Sequence, residues 1–154
     1  MDKIITKSIE DYLKTIYILT RKKDFAKTSD ISSALNVQPP SVTEMIQKLN
    51  KMGFVSYEKY KGITLTKKGE KLAKDVYKRN ETLFNFLKII GVKEKVAEDD
   101  ACKMEHDLTP ATTKHLAKFV EFVQSSPRNP KWLDHFKYYS KTGKHIECKE
   151  EVLK

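Results

Sequence analysis

Three residue types that bind metal ions, Cys102, Glu105 and His106, stand close together in the chain. At i, i+3 and i+4 on a helix, the three side chains leave from one face and can converge on one centre. Thiolate, carboxylate and imidazole supply S, O and N donors. That set suits a divalent first-row ion such as Fe(II), Co(II), Ni(II) or Zn(II), suits Mn(II) less well, and disfavours calcium and magnesium. Taken singly, Cys102 reads as a small buried filler, His106 as a surface histidine and Glu105 as one more solvated acid. Their alignment on one face is harder to explain that way in a chain with two Cys and four His. The surrounding segment is acidic: Glu94, Glu98, Asp99, Asp100, Glu105 and Asp107 face only Lys95 and Lys103. An acidic turn inside a chain of formal net charge +9 invites a cation. A hydrolytic reading of the trio lacks an evident nucleophile-activating partner and a Gly-rich phosphate loop.

A second segment has the opposite charge. Between positions 48 and 68 stand Lys48, Lys51, Lys59, Lys61, Lys67 and Lys68 against Glu58 alone, a net +5 over 21 positions. The elements expected there give the charge a use. Ile9, Tyr12, Leu13, Ile16, Tyr17 and Leu19 recur at helical spacing over Ser8–Thr20, and a short helix capped at Thr28 carries Ile31, Ala34 and Leu35 to Asn36. Pro39-Pro40 pre-set the first turn of a third helix, which runs to about Met52 with Val42, Ile46 and Leu49 inward and Gly53 as its stop. Phe54–Glu58 and Ile63–Leu65 flank Lys59-Tyr60-Lys61-Gly62 as a hairpin with a basic tip.

Three helices and a hairpin make a winged helix-turn-helix, a fold whose third helix enters the major groove of DNA. Gln38, Pro40, Ser41, Thr43, Glu44 and Gln47 are then the base-reading candidates, Pro40 against a thymine methyl, and Lys48, Lys59 and Lys61 the phosphate contacts.

Beyond the hairpin the pattern is wholly helical: a long helix from Thr66 to Gly91, one over about Glu94–Asp107, and one opening at Thr109-Pro110 with Leu116, Phe119, Val120 and Val123 on one face. The Ser125–Pro130 break sets off a tail in which Trp132, Leu133, Phe136 and Tyr139 suggest one more short helix. The fold class expected is mainly α. Residues 1–70 form a winged helix-turn-helix, 71–126 a helical metal-binding and dimerisation domain, and 127–154 a C-terminal tail. At 154 residues a large multi-domain enzyme is excluded. No apolar run spans a bilayer, since Lys88 interrupts Leu83–Val92, and the start of the chain lacks a signal-peptide pattern. A cytoplasmic location is expected, with Cys102 and Cys148 as thiols rather than a disulfide framework.

The segments Ser8–Tyr17, Val37–Thr43, Leu49–Val55, Leu65–Gly69 and Asp100–His106, in that order, resemble the iron-dependent repressor family, the DtxR/MntR class of metal-activated transcriptional repressors. The resemblance covers about residues 4–124 and is of the short form, without room for the SH3-like third domain of longer members. It implies a homodimer that binds a double-stranded DNA operator, with no membrane partner, no small-molecule substrate and no enzymatic activity. By matching position it implies that Asp11, on the first helix, joins Cys102, Glu105 and His106 as ligands of the activating metal.

Cysteine at position 102 is the mark of the family's iron sensors, so Fe(II) is expected first and Mn(II) next. Asp11 points the other way, because the iron sensors usually carry Met there. An ancillary site is only partly matched: Glu98 fits a ligand position, but Asn80 stands where a histidine is usual, and Phe84 and Lys14 replace acids of the iron and manganese branches respectively. One well-formed site is therefore expected. His145 and Cys148 of the tail are read as part of a solvated terminus. Two other readings compete: a metal-independent architectural DNA-binding protein, indifferent to chelator, and a small metallo-hydrolase, which needs an open coordination position and a substrate pocket.

Overall fold

The computed structural model describes residues 4–147, so Cys148 lies outside the described residues. The elements run α1 (Lys7–Lys22), α2 (Thr28–Leu35), α3 (Pro39–Lys51), β1 (Val55–Glu58), β2 (Gly62–Leu65), α4 (Lys67–Ile89), α5 (Glu94–Met104), α6 (Pro110–Ser125) and α7 (Lys131–Thr142). A mainly helical fold with an N-terminal winged helix-turn-helix is what the hydrophobic periodicity predicted. The chain divides into two compact units at Asn80/Glu81, within α4.

In the N-terminal unit, α1 begins where the Thr6 hydroxyl accepts the Ile9 N–H at 3.3 Å. Its stripe of Ile9, Leu13 and Ile16 is wholly buried together with Ile31 of α2 and Val42 and Leu49 of α3. α2 is capped differently from expectation. Thr28 is its first helical residue, and the Asp30 carboxylate accepts the Lys27 N–H at 3.4 Å, so the acid three positions on, not the hydroxyl, satisfies the helix start. β1 and β2 pair antiparallel from Val55↔Leu65 to Glu58↔Gly62. The loop before α2 joins this sheet through an Ala26↔Ile63 bridge, with N–H···O distances of 2.8 and 2.9 Å in the two directions.

Thr66 fastens the hairpin's exit to α4. Its hydroxyl donates to the Gly53 carbonyl at 2.7 Å and accepts the Gly69 N–H at 3.1 Å, linking the end of α3 to the first turn of α4. Gly69 packs so closely on Phe54 that a Cβ there would strike the Phe54 carbonyl. Arg79 of α4 pairs with Glu10 of α1 at 3.0 Å, and Tyr77 meets Tyr17 edge-to-face at 5.6 Å.

The C-terminal unit has a smaller core of Leu83, Leu87, Ala97 and Ala101, flanked by Phe84, Phe86, Val92, Met104, Leu108 and Leu116. α6 starts at a Thr109 cap with Pro110 in its first turn. The helix expected in the tail is present as α7: Leu133 is buried, and Trp132 lies 5.7 Å from Phe119, which in turn stacks edge-on with Phe86 at 5.8 Å. Ile90, Val96, Phe122, Trp132 and Phe136 stay exposed on this unit.

Candidate functional site

α5 presents one apolar row to its unit, Ala97 and Ala101, both wholly buried. The next position on that row, four residues on, is Glu105. It is the C-cap, still with helical angles (φ −58°, ψ −25°), and its N–H bonds the Ala101 carbonyl at 3.0 Å. A position whose periodicity calls for an apolar residue is thus filled by a carboxylate, and Glu105 is 0% exposed.

The helix ends at Met104, three residues short of the expected Asp107. Thr109 precedes a proline and must be extended (φ −69°, ψ 152°), so the chain has to leave the helix before it. It does so through a tighter turn in which the Asp107 N–H bonds the Met104 carbonyl at 3.1 Å. That turn carries His106, whose imidazole Nε2 comes to 3.4 Å from Glu105 Oε1 with the side chain 5% exposed.

Cys102 and Glu98 each follow a buried alanine by one position, about 100° around the helix, and both are exposed. Glu98 lies 3.9 Å from Lys95. Among the described residues, the donor atoms gathered within 4.8 Å of one another include those of Glu105 and His106 and do not include the Cys102 sulfur. Asp11 sits half-buried on α1, and Lys14, one turn later, is only 8% exposed. The Glu105–His106 pair fits a divalent cation. Oxygen beside imidazole nitrogen is a donor pair that Mn(II), Fe(II) and Zn(II) all accept.

The nucleic-acid face is assembled in the other unit. α3 buries Val42, Ile46 and Leu49, and leaves Pro40, Ser41, Thr43, Glu44, Gln47 and Lys48 exposed or half-buried; Gln38, its N-cap, lies at the same surface. The Thr43 hydroxyl donates to the Pro39 carbonyl at 3.2 Å, which leaves its methyl group as the outward contact. Lys59 and Lys61 are exposed at the hairpin tip. Lys61 is paired with Glu58 at 2.8 Å, and that hydrogen bond together with the carboxylate's charge raises its pKa above the ordinary lysine value. Lysine counting had treated Lys59 and Lys61 as equal. The i, i+3 spacing of Glu58 and Lys61 was the signal that one of them had a neighbour.

An exposed polar helix face and a lysine-bearing hairpin on a winged module, followed by an all-helical module with a buried acid–imidazole pair, define a metal-responsive DNA-binding protein. Residues 4–63 match the family described as iron dependent repressor, N-terminal DNA binding domain, and residues 66–134 match its metal binding and dimerisation domain. The chain belongs to the iron-dependent repressor family: it is a DNA-binding, dimerising, metal-dependent transcriptional repressor and not an enzyme.

It is 45% identical over 122 residues to the HTH-type transcriptional regulator MntR of Lysinibacillus sphaericus, covering 79% of this chain and 88% of that one. With MntR of Bacillus subtilis it shares 41% over 126 residues, 82% of this chain and 89% of the relative. Among solved structures, the manganese regulator SloR superposes with a TM-score of 0.66 at 30% identity, covering 78% of this chain and 55% of SloR. IdeR of T. acidophilum superposes at 0.65 and 26% identity, covering 83% and 58%. The chain thus spans little more than half the length of these two solved relatives. Among the described residues no helix is long and apolar enough to cross a membrane.

Proposed function

We propose that this repressor is switched on by one Mn(II) or Fe(II) ion per protomer, held by Glu105 and His106 of the C-terminal unit and by Asp11 of α1, with the ion-loaded dimer binding its operator in the cytoplasm. The observation that carries the reading is the wholly buried Glu105 carboxylate set 3.4 Å from the His106 imidazole at the end of α5. Oxygen and nitrogen donors favour Mn(II) as readily as Fe(II), and the manganese regulators among the relatives support Mn(II). One feature favours Fe(II): Cys102 lies one turn before Glu105, where a change of side-chain rotamer would add a soft thiolate to the set.

Asp11 and the Glu105–His106 pair belong to different units of the chain. An ion that takes ligands from both couples the order of one to the other, and favours the arrangement in which the two α3 helices of a dimer meet successive major grooves. A ligand shifts such an equilibrium only by its differential affinity for the two states, so operator DNA must tighten metal binding by the factor by which metal tightens DNA binding.

The test is anaerobic fluorescence anisotropy on operator DNA titrated with Mn(II), Fe(II) or chelator, using wild type and Cys102→Ser. Binding that needs metal supports the reading, and binding indifferent to chelator overturns it. If the thiol is a ligand, Cys102→Ser weakens activation by Fe(II) by about tenfold or more and spares Mn(II). An equal response of both proteins to both ions leaves Cys102 outside the site.

A further inference from the structure

The hairpin tip carries a residue that the fold has no use for. Tyr60 has φ +74°, in the left-handed region that a bulky side chain rarely adopts. The residue is 93% exposed, so the unfavourable backbone gains no burial in return. The turn beneath it is firmly held. The Lys61 N–H bonds the Glu58 carbonyl at 3.1 Å, and Gly62 (φ +83°) sits so close over Phe25 that a Cβ would strike that ring. The Ala26↔Ile63 bridge anchors the base of the hairpin. An aromatic ring is therefore pushed outward on a fixed mount, and a backbone outlier kept in place by its surroundings is a pointer to function.

The charges around the ring indicate the partner. The Lys59 ammonium lies 5.5 Å from the centre of the Tyr60 ring, and Lys61 follows it directly. A lysine on each side of one flat amphipathic ring, with the Lys61 ammonium shared with Glu58 at 2.8 Å, matches a polyanion whose charged rails enclose an apolar slot. The minor groove of DNA has that form: phosphates on both edges, sugar walls, a width of about 6 Å, and acceptors on its floor at A·T pairs. β1 packs against α3, so the hairpin and the helix expected in the major groove belong to one body.

We propose that Tyr60 is a specificity-determining residue that inserts into the minor groove flanking the α3 contacts, with Lys59 and Lys61 on the bordering phosphates. The insertion favours A·T pairs there, because the guanine amine projects from the floor of the groove into the space the ring needs. This rests on the DNA-binding reading of the N-terminal unit.

The test uses the full chain with Mn(II) and a duplex selected by the wild type from a random library, comparing wild type with Tyr60→Gly and Tyr60→Phe. Glycine is at ease with positive φ, so Tyr60→Gly keeps the turn and its thermal melting point should not fall. Expected is about tenfold weaker binding by Tyr60→Gly, the size of effect typical of truncating one aromatic contact at an interface, with the salt slope unchanged because no charge is removed. Tyr60→Phe keeps binding within about threefold, since the ring remains.

Replacing the flanking A·T pairs by G·C should weaken wild type and leave Tyr60→Gly unaffected, while I·C pairs, which lack the minor-groove amine, restore wild-type binding. The inference is overturned if Tyr60→Gly binds as tightly as wild type, or if its loss is the same on A·T and G·C flanks. Wild type that selects no duplex overturns the DNA-binding reading and this inference together. Wild type that selects one which Tyr60→Gly binds equally well overturns this inference alone.

Discussion

The two units of the molecule place their functional groups by opposite rules. In the N-terminal unit a complete apolar core from α1, α2, α3 and the hairpin supports candidate DNA contacts on α3 and the hairpin tip that all point outward, so these side chains contribute little to stability. In the C-terminal unit the core is slight, apolar residues such as Val96 and Phe122 remain exposed, and the carboxylate proposed to bind metal, Glu105, lies inside at 0% exposure. A reading surface can be exposed because its partner is a large polyanion that replaces water at the contact. A metal site of that kind is enclosed because it works by replacing the ion's water with fixed ligands, and the uncovered apolar surface of this unit suits a domain completed by dimerisation.

Five substitutions would break this contrast or sharpen it. The largest effect is expected from Glu105→Gln, which keeps the shape and removes the charge. Metal affinity, measured by competition with a fluorescent chelator, should fall by about 100-fold or more, more than is typical for loss of a group that merely supports a ligand, and metal-dependent DNA binding should go with it. Helix content by circular dichroism should be retained. An undiminished metal affinity would remove Glu105 from the site and with it the claim that this unit works from the inside.

Next comes Gly69→Ala, which drives a methyl group into the Phe54 carbonyl. A loss of about 1–3 kcal/mol in chemical denaturation is expected, the usual cost of overpacking. Thr66→Ala removes the hydroxyl that bridges Gly53 and the Gly69 N–H, and should cost about 1 kcal/mol, typical of a lost helix cap. Both changes lie in the scaffold of the reading unit, so metal affinity should be unaltered wherever the variants remain folded.

The smallest effect is that of Lys59→Ala, which should lower the slope of log affinity against log salt by about one unit while leaving metal affinity and melting temperature unchanged. Lys61→Ala should change the slope less, because its ammonium is already shared with Glu58. Equal slopes for the two variants would show that the pair opens on DNA.

The reading unit was largely legible from spacing. Val42, Ile46 and Leu49 declare the inner face of α3, and the outer face follows as their complement. The long helix, the Thr109-Pro110 start and even α7 could be read from periodicity and caps. The proposed metal site was legible in its residue types but less so in its geometry. Spacing alone puts Cys102, Glu105 and His106 on one helical face. The structure ends α5 at Met104, carries His106 round the turn to Glu105, and leaves Cys102 on the outside. The turn that carries His106 lies between the end of α5 and the extended Thr109 that precedes Pro110, and periodicity alone does not locate it.

By itself the sequence determined the helices, the hairpin, the sign of charge on each segment and the residue types able to bind a metal, because these depend on neighbours within a turn or two. Tertiary structure alone decided that Glu105 is buried while Cys102 is not, that Gly69 must be glycine beneath Phe54, and that Tyr60 is held outward over an anchored turn. Burial and close approach depend on what the rest of the chain brings to a position, and local spacing carries no information about that.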